Sequence, residues 1–456
     1  MIGWPHIATV CALLLWPVVL PAQSANTRSG RVYQDPDRQV YAEAFGVPKP
    51  GTDSTNIYVL FKVSNDVLTF TKNTDHSDPQ GNFVAPIALN IEVRDSLGVI
   101  RKRVRWSNSA YASTFDETNS RNQYSSGWQM ITVACGLHTV TLEVVQNKIN
   151  LPTKVIIDSV ASQTCRNQTS RQLILGVPEP GEPRDSYRPF IQNGNAEFIP
   201  HDAYGFLPVR DSTPAHYSVS IRQQPYGGNQ IRWWSVASYE WQGMSTPNVR
   251  LDVSGTGGGS EPRLHIVPDS TGGGFGYLKI PFPVTALVPA EYTVTVVREN
   301  STDSVHIPVH VVWNTMPQSL RNLNDAIQLL RYTAAETDIR NIDNGTDAER
   351  REKLMDWWRG QDPTPRTTYN ERLYEYYRRA DYARLRYATV QEPDGANTER
   401  GKIYILFGPP TSVATKMNAQ NSATELWTYS NSVAKTIVFE VDERGYYKLV
   451  AIDKTK

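Results

Sequence analysis

The sequence predicts a multidomain, mainly β protein, with two antiparallel sandwiches followed by a C-terminal α+β domain. Three observations predict it. Short segments rich in β-branched and aromatic residues recur through the first 314 residues, with no helical pattern between them. A Pro- and Gly-rich stretch at 177–183 (VPEPGEP) divides that region in two. After Pro317 the apolar spacing becomes helical, and after Gly395 it returns to a period of two.

The chain opens on what reads as a secretory signal peptide at 1–24. Residues 7–20 (IATVCALLLWPVVL) are almost wholly apolar, and Pro21-Ala22-Gln23-Ser24-Ala25 offers small residues for cleavage after Ala22 or Ser24. The run is short for a bilayer span, so an uncleaved anchor is the weaker reading. No later segment is apolar enough over sufficient length to span a membrane, so the mature chain is expected to have no membrane span. Cys11 lies inside the leader without a lipobox-like context. The mature chain keeps Cys135 and Cys165, and in an oxidising compartment a lone pair reads as one disulfide. Closing that loop is worth about 3–4 kcal/mol in the chain-entropy view; two buried free thiols are the alternative.

The first sandwich is placed at 32–170. Its strands are read at 57–63 (IYVLFKV), 87–94 (IALNIEVR), 129–134 and 139–145, with turn chemistry at Asp95-Ser96-Leu97-Gly98. The second, at 184–314, carries strands at 216–222, 230–241, 263–267, 276–280, 292–297 and 304–313, interrupted by glycine-rich segments at 255–260 and 272–276. Strands at this spacing argue for antiparallel sandwiches of the immunoglobulin-like kind.

The third domain is placed at 317–452. Leu320, Leu323, Ile327 and Leu330 share one helical face. Thr346 and Glu349 have the spacing of a capping box and open a second helix that runs to Trp357-Trp358. Thr368 and Glu371 repeat the spacing before a third, whose apolar face is Leu373, Tyr376, Ala380, Ala383 and Tyr387. Residues 403–407 read as a buried strand ended by Gly408-Pro409-Pro410. Strands at 426–429, 436–441 and 446–452 complete a small sheet, with a hairpin at 442–445.

Several unusual strings occur together in this third segment, in one definite order. They are Trp357-Trp358-Arg359-Gly360-Gln361-Asp362-Pro363-Thr364-Pro365, the helix at 370–387, the stretch from Arg400 to Pro410 (RGKIYILFGPP), and Glu425-Leu426-Trp427-Thr428-Tyr429. In these, residues 317–452 resemble the GWxTD domain family. The naming motif falls on Gly395-Ala396-Asn397-Thr398-Glu399, so only Gly395 and Thr398 match it literally, with Ala396 in place of Trp and Glu399 in place of Asp. The resemblance implies a secreted bacterial protein with β-sandwich modules ahead of this domain, and no settled activity.

Composition excludes more than it assigns. Lys plus Arg equals Asp plus Glu at 46 each, with no basic run. A nucleic-acid partner or an anionic lipid surface would call for a basic face, so neither is expected. The glycine-rich 255–260 is followed by Glu261-Pro262 and a strand, where a phosphate loop needs a helix. His306 and His310 lie about 13 Å apart at ~3.3 Å per residue on a strand, too far for one metal. Ser432-Val433-Ala434-Lys435 spells S-x-x-K between two strands, without the partner motifs of an acyl-enzyme. Trp233, Tyr239 and Trp241 form an aromatic stripe that reads first as core and second as a glycan platform.

The remaining cluster is the candidate site: Gly395, Thr398, Glu399, Arg400, Gly408, Pro409, Glu425 and Trp427. Glu399, Arg400 and Glu425 are two carboxylates and an arginine able to converge, either as a structural ion pair or as a glycosidase-like acid pair. Asp362 reads as turn chemistry. The expectation is an exported, non-enzymatic binding or scaffolding protein without a cofactor or metal, whose partner is a protein or an envelope polymer. The alternatives are a hydrolase of envelope carbohydrate or peptide acting near 395–427, and a glycan binder using the second sandwich.

Overall fold

Which faces each strand must bury decides how its sequence reads. The computed structural model describes residues 39–454 apart from 50–51, 75–80, 146–153, 162–171, 180, 182–184, 225–237, 256–260, 270–275, 303, 418–422, 431–434 and 443–444. The leader, Cys165, Trp233, Ser432 and most of both glycine-rich segments therefore lie outside the described residues.

The first region contributes β1 (Val40–Lys49), β2 (Ser54–Ser64), β3 (Thr71–Lys72), β4 (Phe83–Asp95), β5 (Ile100–Ala112), the single-turn helix α1 (Phe115–Thr118), β6 (Tyr124–Ala134), β7 (Leu137–Val144) and β8 (Lys154–Ala161). They form a three-stranded sheet, β1-β2-β6, and a five-stranded one, β3-β4-β7-β8 with β5 on β4. Ile57, Val59, Phe61 and Val63 of β2 share one core with Ile87, Leu89, Ile91 and Val93 of β4, so the two sheets pack face to face. The turn after β4 forms as the sequence predicts. Asp95 Oδ1 accepts from the amides of Leu97 and Val99 at 2.9 Å each, and Gly98 takes φ +78°. Strand β5 was not legible because its first half (IRKRVR) is largely polar and exposed.

The second region contributes β9 (Ile174–Pro178), β10 (Ser186–Pro189), β11 (Ala196–Glu197), β12 (Ala203–Val209), β13 (His216–Gln223), β14 (Ser238–Met244), β15 (Thr246–Pro247), β16 (Val249–Ser254), β17 (Arg263–Pro268), β18 (Gly276–Phe282), β19 (Ala290–Arg298) and β20 (Ser304–Val312). A seven-stranded sheet, β15-β18-β12-β9-β10-β17-β16, faces a five-stranded one, β11-β20-β19-β13-β14. Among the described residues only the short β11–β20 ladder is parallel. The start of the expected linker is corrected: Val177 and Pro178 pair with Arg188 and Tyr187, inside the seven-stranded sheet.

The sheet β1-β2-β6 is buried on both faces. Tyr41, Phe45, Tyr58 and Leu60 point away from the first core and pack with Tyr187, Phe206, Leu251 and Tyr277 of the seven-stranded sheet. That is why 57–63 is a nearly continuous apolar run where a one-sided strand would alternate. Polar groups fasten this second contact. Lys62 reaches Glu197 at 2.9 Å and lies over the rings of Tyr41 and Tyr124. Glu43, on the same face, accepts from the Gly194 amide at 2.6 Å and from Gln172 at 3.1 Å. Asn193 and Gly194 both have positive φ, which presents that amide to the carboxylate.

The third region is α+β. Its elements are α2 (Gln318–Arg321), α3 (Leu323–Leu329), α4 (Glu336–Ile342), α5 (Asp347–Arg359), α6 (Glu371–Arg386), α7 (Glu399–Phe407), β21 (Ser412–Met417), β22 (Ala423–Tyr429), β23 (Lys435–Val441) and β24 (Tyr447–Lys454), the strands forming an antiparallel meander. Leu320, Leu323, Ile327, Leu330, Leu373, Tyr377 and Ala380 enter one core with Trp427, Tyr429, Ile437 and Phe439 of the sheet.

Two expectations are corrected here. Thr346 and Glu349 do close a capping box on α5, but α6 is capped by Asn370, whose side chain accepts from Leu373 N at 2.9 Å. Thr368 instead donates to the Leu287 carbonyl at 2.5 Å and ties the domain to the preceding sheet. The stretch 403–407 is not a strand but the second half of α7. A five-residue apolar run is equally compatible with a buried helix. Here the Thr398 cap, Glu399 in the first turn and Gly408 at the end settle it as helical.

Candidate functional site

The site is assembled around the start of α7. Gly395 and Ala396 begin a 3₁₀ turn whose first amide is held by Asp394, with Ala396 N donating to Asp394 Oδ1 at 3.0 Å. The turn presses so closely on the end of α6 that a Cβ on Gly395 would stand 2.3 Å from the Ala383 carbonyl oxygen. A Cβ on Gly401 would stand 1.9 Å from the Gly395 oxygen. Between these two contacts, Thr398 Oγ1 donates to the Gly395 carbonyl at 2.8 Å and accepts from Gly401 N at 3.0 Å. The two residues that match the naming motif literally therefore build a helix entrance. Ala396, at the motif's Trp position, is fully buried, and its carbonyl accepts from Tyr332 Oη at 2.8 Å.

Arg400 and Glu425 do come together. The Arg400 Nη1 lies 3.5 Å from Glu425 Oε2, and both side chains are about 15% exposed (15% and 14%). The guanidinium lies 3.3 Å from the centroid of the Tyr447 ring and 5.3 Å from that of Tyr387. Trp427 Nε1 donates to the other carboxylate oxygen at 2.6 Å. With one oxygen on an indole and the other on a guanidinium, Glu425 is committed to structure. Trp427 is itself buried, packed between a tilted Tyr387 ring and an edge-on Phe439 ring with centroids 5.4 and 5.0 Å away. Burial raises the Tyr387 hydroxyl above its ordinary range, with the Tyr382 and Tyr404 phenols adding to it.

Glu399 does not join that pair. It is exposed and lines an open cleft of about 700 Å³ together with Glu392, Asn397, Asp442, Tyr446 and Lys448. Gly408, with φ +78°, ends α7 where a Cβ would meet the Arg379 guanidinium at 2.9 Å, and its carbonyl accepts from Tyr429 Oη at 3.0 Å. Pro409 is exposed beyond it. Arg379 and Arg378 both bond Glu375, at 2.6 and 2.7 Å. Against the opposing effect of burial, they hold its carboxyl below the usual range.

The other sequence candidates have structural roles where they are described. Tyr239 and Trp241 of β14 pack against the core of the second region. His306 bonds Thr295 and Ser304, and His310 bonds Asn195 at 3.0 Å. Asp362 accepts from Thr364 N at 2.8 Å, the turn expected before Pro363. Cys135 is half-buried just after β6, while Cys165 lies outside the described residues. Among the described residues no helix is long and apolar enough to cross a membrane.

Sequence reasoning missed the cleft at the junction of the regions. It is about 1020 Å³ and runs between Tyr41, Arg121 and Tyr124 of the first region, Trp313 at the end of the second, and Tyr374 and Tyr382 of the third. Those residues are scattered over more than 300 positions, so no local pattern announces them.

An α+β domain closed by a capped Gly-x-x-Thr turn and tied to the preceding sheet through Thr368 is the class of module this geometry defines. Residues 293–450 match the family model of the GWxTD domain, so the chain carries that domain at its C-terminus. The match begins within β19 rather than at the expected residue 317, which takes in the last two strands of the five-stranded sheet. No curated protein matches the chain.

Proposed function

We propose that this is an exported, non-enzymatic binding or scaffolding protein. In this reading two immunoglobulin-like sandwich modules carry the GWxTD domain and hold it toward a partner protein or an envelope polymer. The apolar leader at 1–24 supports export, and the Cys135–Cys165 pair supports an oxidising compartment, periplasmic or extracellular. The observation that carries the binding reading is the Arg400–Glu425 pair. Two of the three residues best placed by sequence to be catalytic are spent on each other, on Trp427 and on Tyr447.

The test is fractionation of the producing cell followed by in-situ cross-linking. The mature mass should begin after Ala22 or Ser24 in the envelope or secreted fraction, and a discrete cross-linked species should appear. Recovery of uncleaved protein in the cytoplasm, or only monomer after cross-linking, overturns the proposal.

A second reading, a hydrolase of envelope carbohydrate or peptide, is favoured by one observation: Glu392, Glu399 and Asp442 share the open cleft beside α7. Turnover of an envelope glycan or peptide that disappears in Glu399→Gln would replace the binding reading.

A further inference from the structure

The cleft at the junction of the regions contains polar groups that the protein leaves unmet. Buried polar atoms are nearly always paired, so a cluster of unpaired ones asks for a missing partner. Trp313 Nε1, both amide atoms of Asn314 and Nε of Arg321 are buried without a hydrogen-bond partner among the described residues, and all three residues line this cleft.

Their orientation is not free to relax. The Trp313 indole is fixed by Phe198, Tyr369 and Tyr374, with ring centroids 5.3, 6.1 and 6.4 Å away. Arg321 ends α2, whose first amides are held by Asp381, with Ser319 N at 3.0 Å from Asp381 Oδ1.

Apart from Asp116, the cleft's other charges are already engaged. Arg121 pairs with Asp66 at 3.2 Å and Arg378 with Glu375 at 2.7 Å. Glu117 closes the capping box of α1, Asp381 caps α2, and Asp116 stands exposed at the rim. Arg321 makes no ion pair among the described residues, so it is the uncommitted cation of this lining.

We propose that this cleft binds an extended peptide segment bearing a carboxylate. The Asn314 amide offers one donor and one acceptor, the complement of a peptide unit. Arg321 and the Trp313 N–H supply donors for a carboxylate beside it. The volume falls at the upper end of the range of ligand sites, enough for several residues, and the Tyr41, Tyr124 and Tyr382 rings provide side-chain contacts. The inference rests on the binding reading above and names its site and ligand class.

The experiment selects random heptapeptides on the immobilised mature chain and measures each winner by fluorescence anisotropy. Enrichment of Asp- or Glu-containing peptides is expected. Arg321→Gln and Asn314→Ala should each weaken binding by about tenfold or more, with Arg321→Lys recovering part of the loss. If a protein variant fails to fold, replacing the peptide's carboxylate by its amide makes the same test from the ligand side and should cost a similar factor. No enrichment, enrichment without acidic residues, or affinity unmoved by the amide peptide overturns the proposal. Binding of chitohexaose that is lost in Asn314→Ala assigns the cleft to a glycan and overturns it equally. If the library yields nothing while in-situ cross-linking still traps a partner, the cleft assignment fails and the binding reading stands.

Discussion

The Arg400 guanidinium lies 3.3 Å from the centroid of the Tyr447 ring while its Nη1 faces Glu425 at 3.5 Å. This joins the first turn of α7 to two strands of the C-terminal sheet. A mostly buried pair of this kind is costly to break from one side, because the remaining charge is stranded. Glu425→Gln and Arg400→Gln should each lose about 2–4 kcal/mol in denaturant unfolding. Arg400→Met with Glu425→Leu should recover most of that loss. Single variants as stable as the parent would show the pair to be solvated.

Gly395 and Gly401 are required by contact rather than by φ. Alanine at either drives a Cβ onto backbone, so each variant should lose about 1–3 kcal/mol or more, read as a drop in melting temperature. Thr398→Ala removes only the cap and should lose about 1 kcal/mol. Restoring the family residue with Ala396→Trp should destabilise this chain, since the site is already filled. A stable Ala396→Trp protein would mean that the turn can open.

Glu43 makes stability depend on pH. Burial raises its folded pKa from 4.5 to about 7, partly opposed by the hydrogen bonds from Gly194 and Gln172. Between these values the unfolded chain has released the proton that the folded chain keeps, so stability falls as pH rises from about 4.5 to about 7. The loss is on the order of 3 kcal/mol at the upper end. Glu43→Gln should flatten that slope in urea titrations at pH 5 and pH 8. An unchanged slope would assign the dependence elsewhere.

Cys135 and Cys165 should be bridged in the exported protein. Alkylation of the mature chain in denaturant without reductant should label neither thiol, and both after reduction. Labelling of both before reduction would leave two free thiols and remove the stabilisation of about 3–4 kcal/mol that the loop closure implies.

Periodicity and capping chemistry made much of the molecule legible in advance. The strands at 57–63 and 216–222, the box of Thr346 with Glu349 and the face of Leu373, Tyr376 and Ala380 are local patterns, and the structure has them where expected. Strands β5 and β21 were not legible, because an edge or exposed strand carries little apolar signal.

The sequence by itself determined the β-rich body, the switch to helices after Pro317 and the match of its last third to the GWxTD domain. Tertiary structure decided the rest. Residues 399–407 became helix because a cap and a close glycine contact outweigh an ambiguous apolar run. Glu425 faces Arg400 and not Glu399, because helix and sheet present different sides. The unmet polar groups of Trp313, Asn314 and Arg321 share one cleft only because distant segments meet there. Local pattern records what each segment buries, and only the folded chain brings those surfaces into contact.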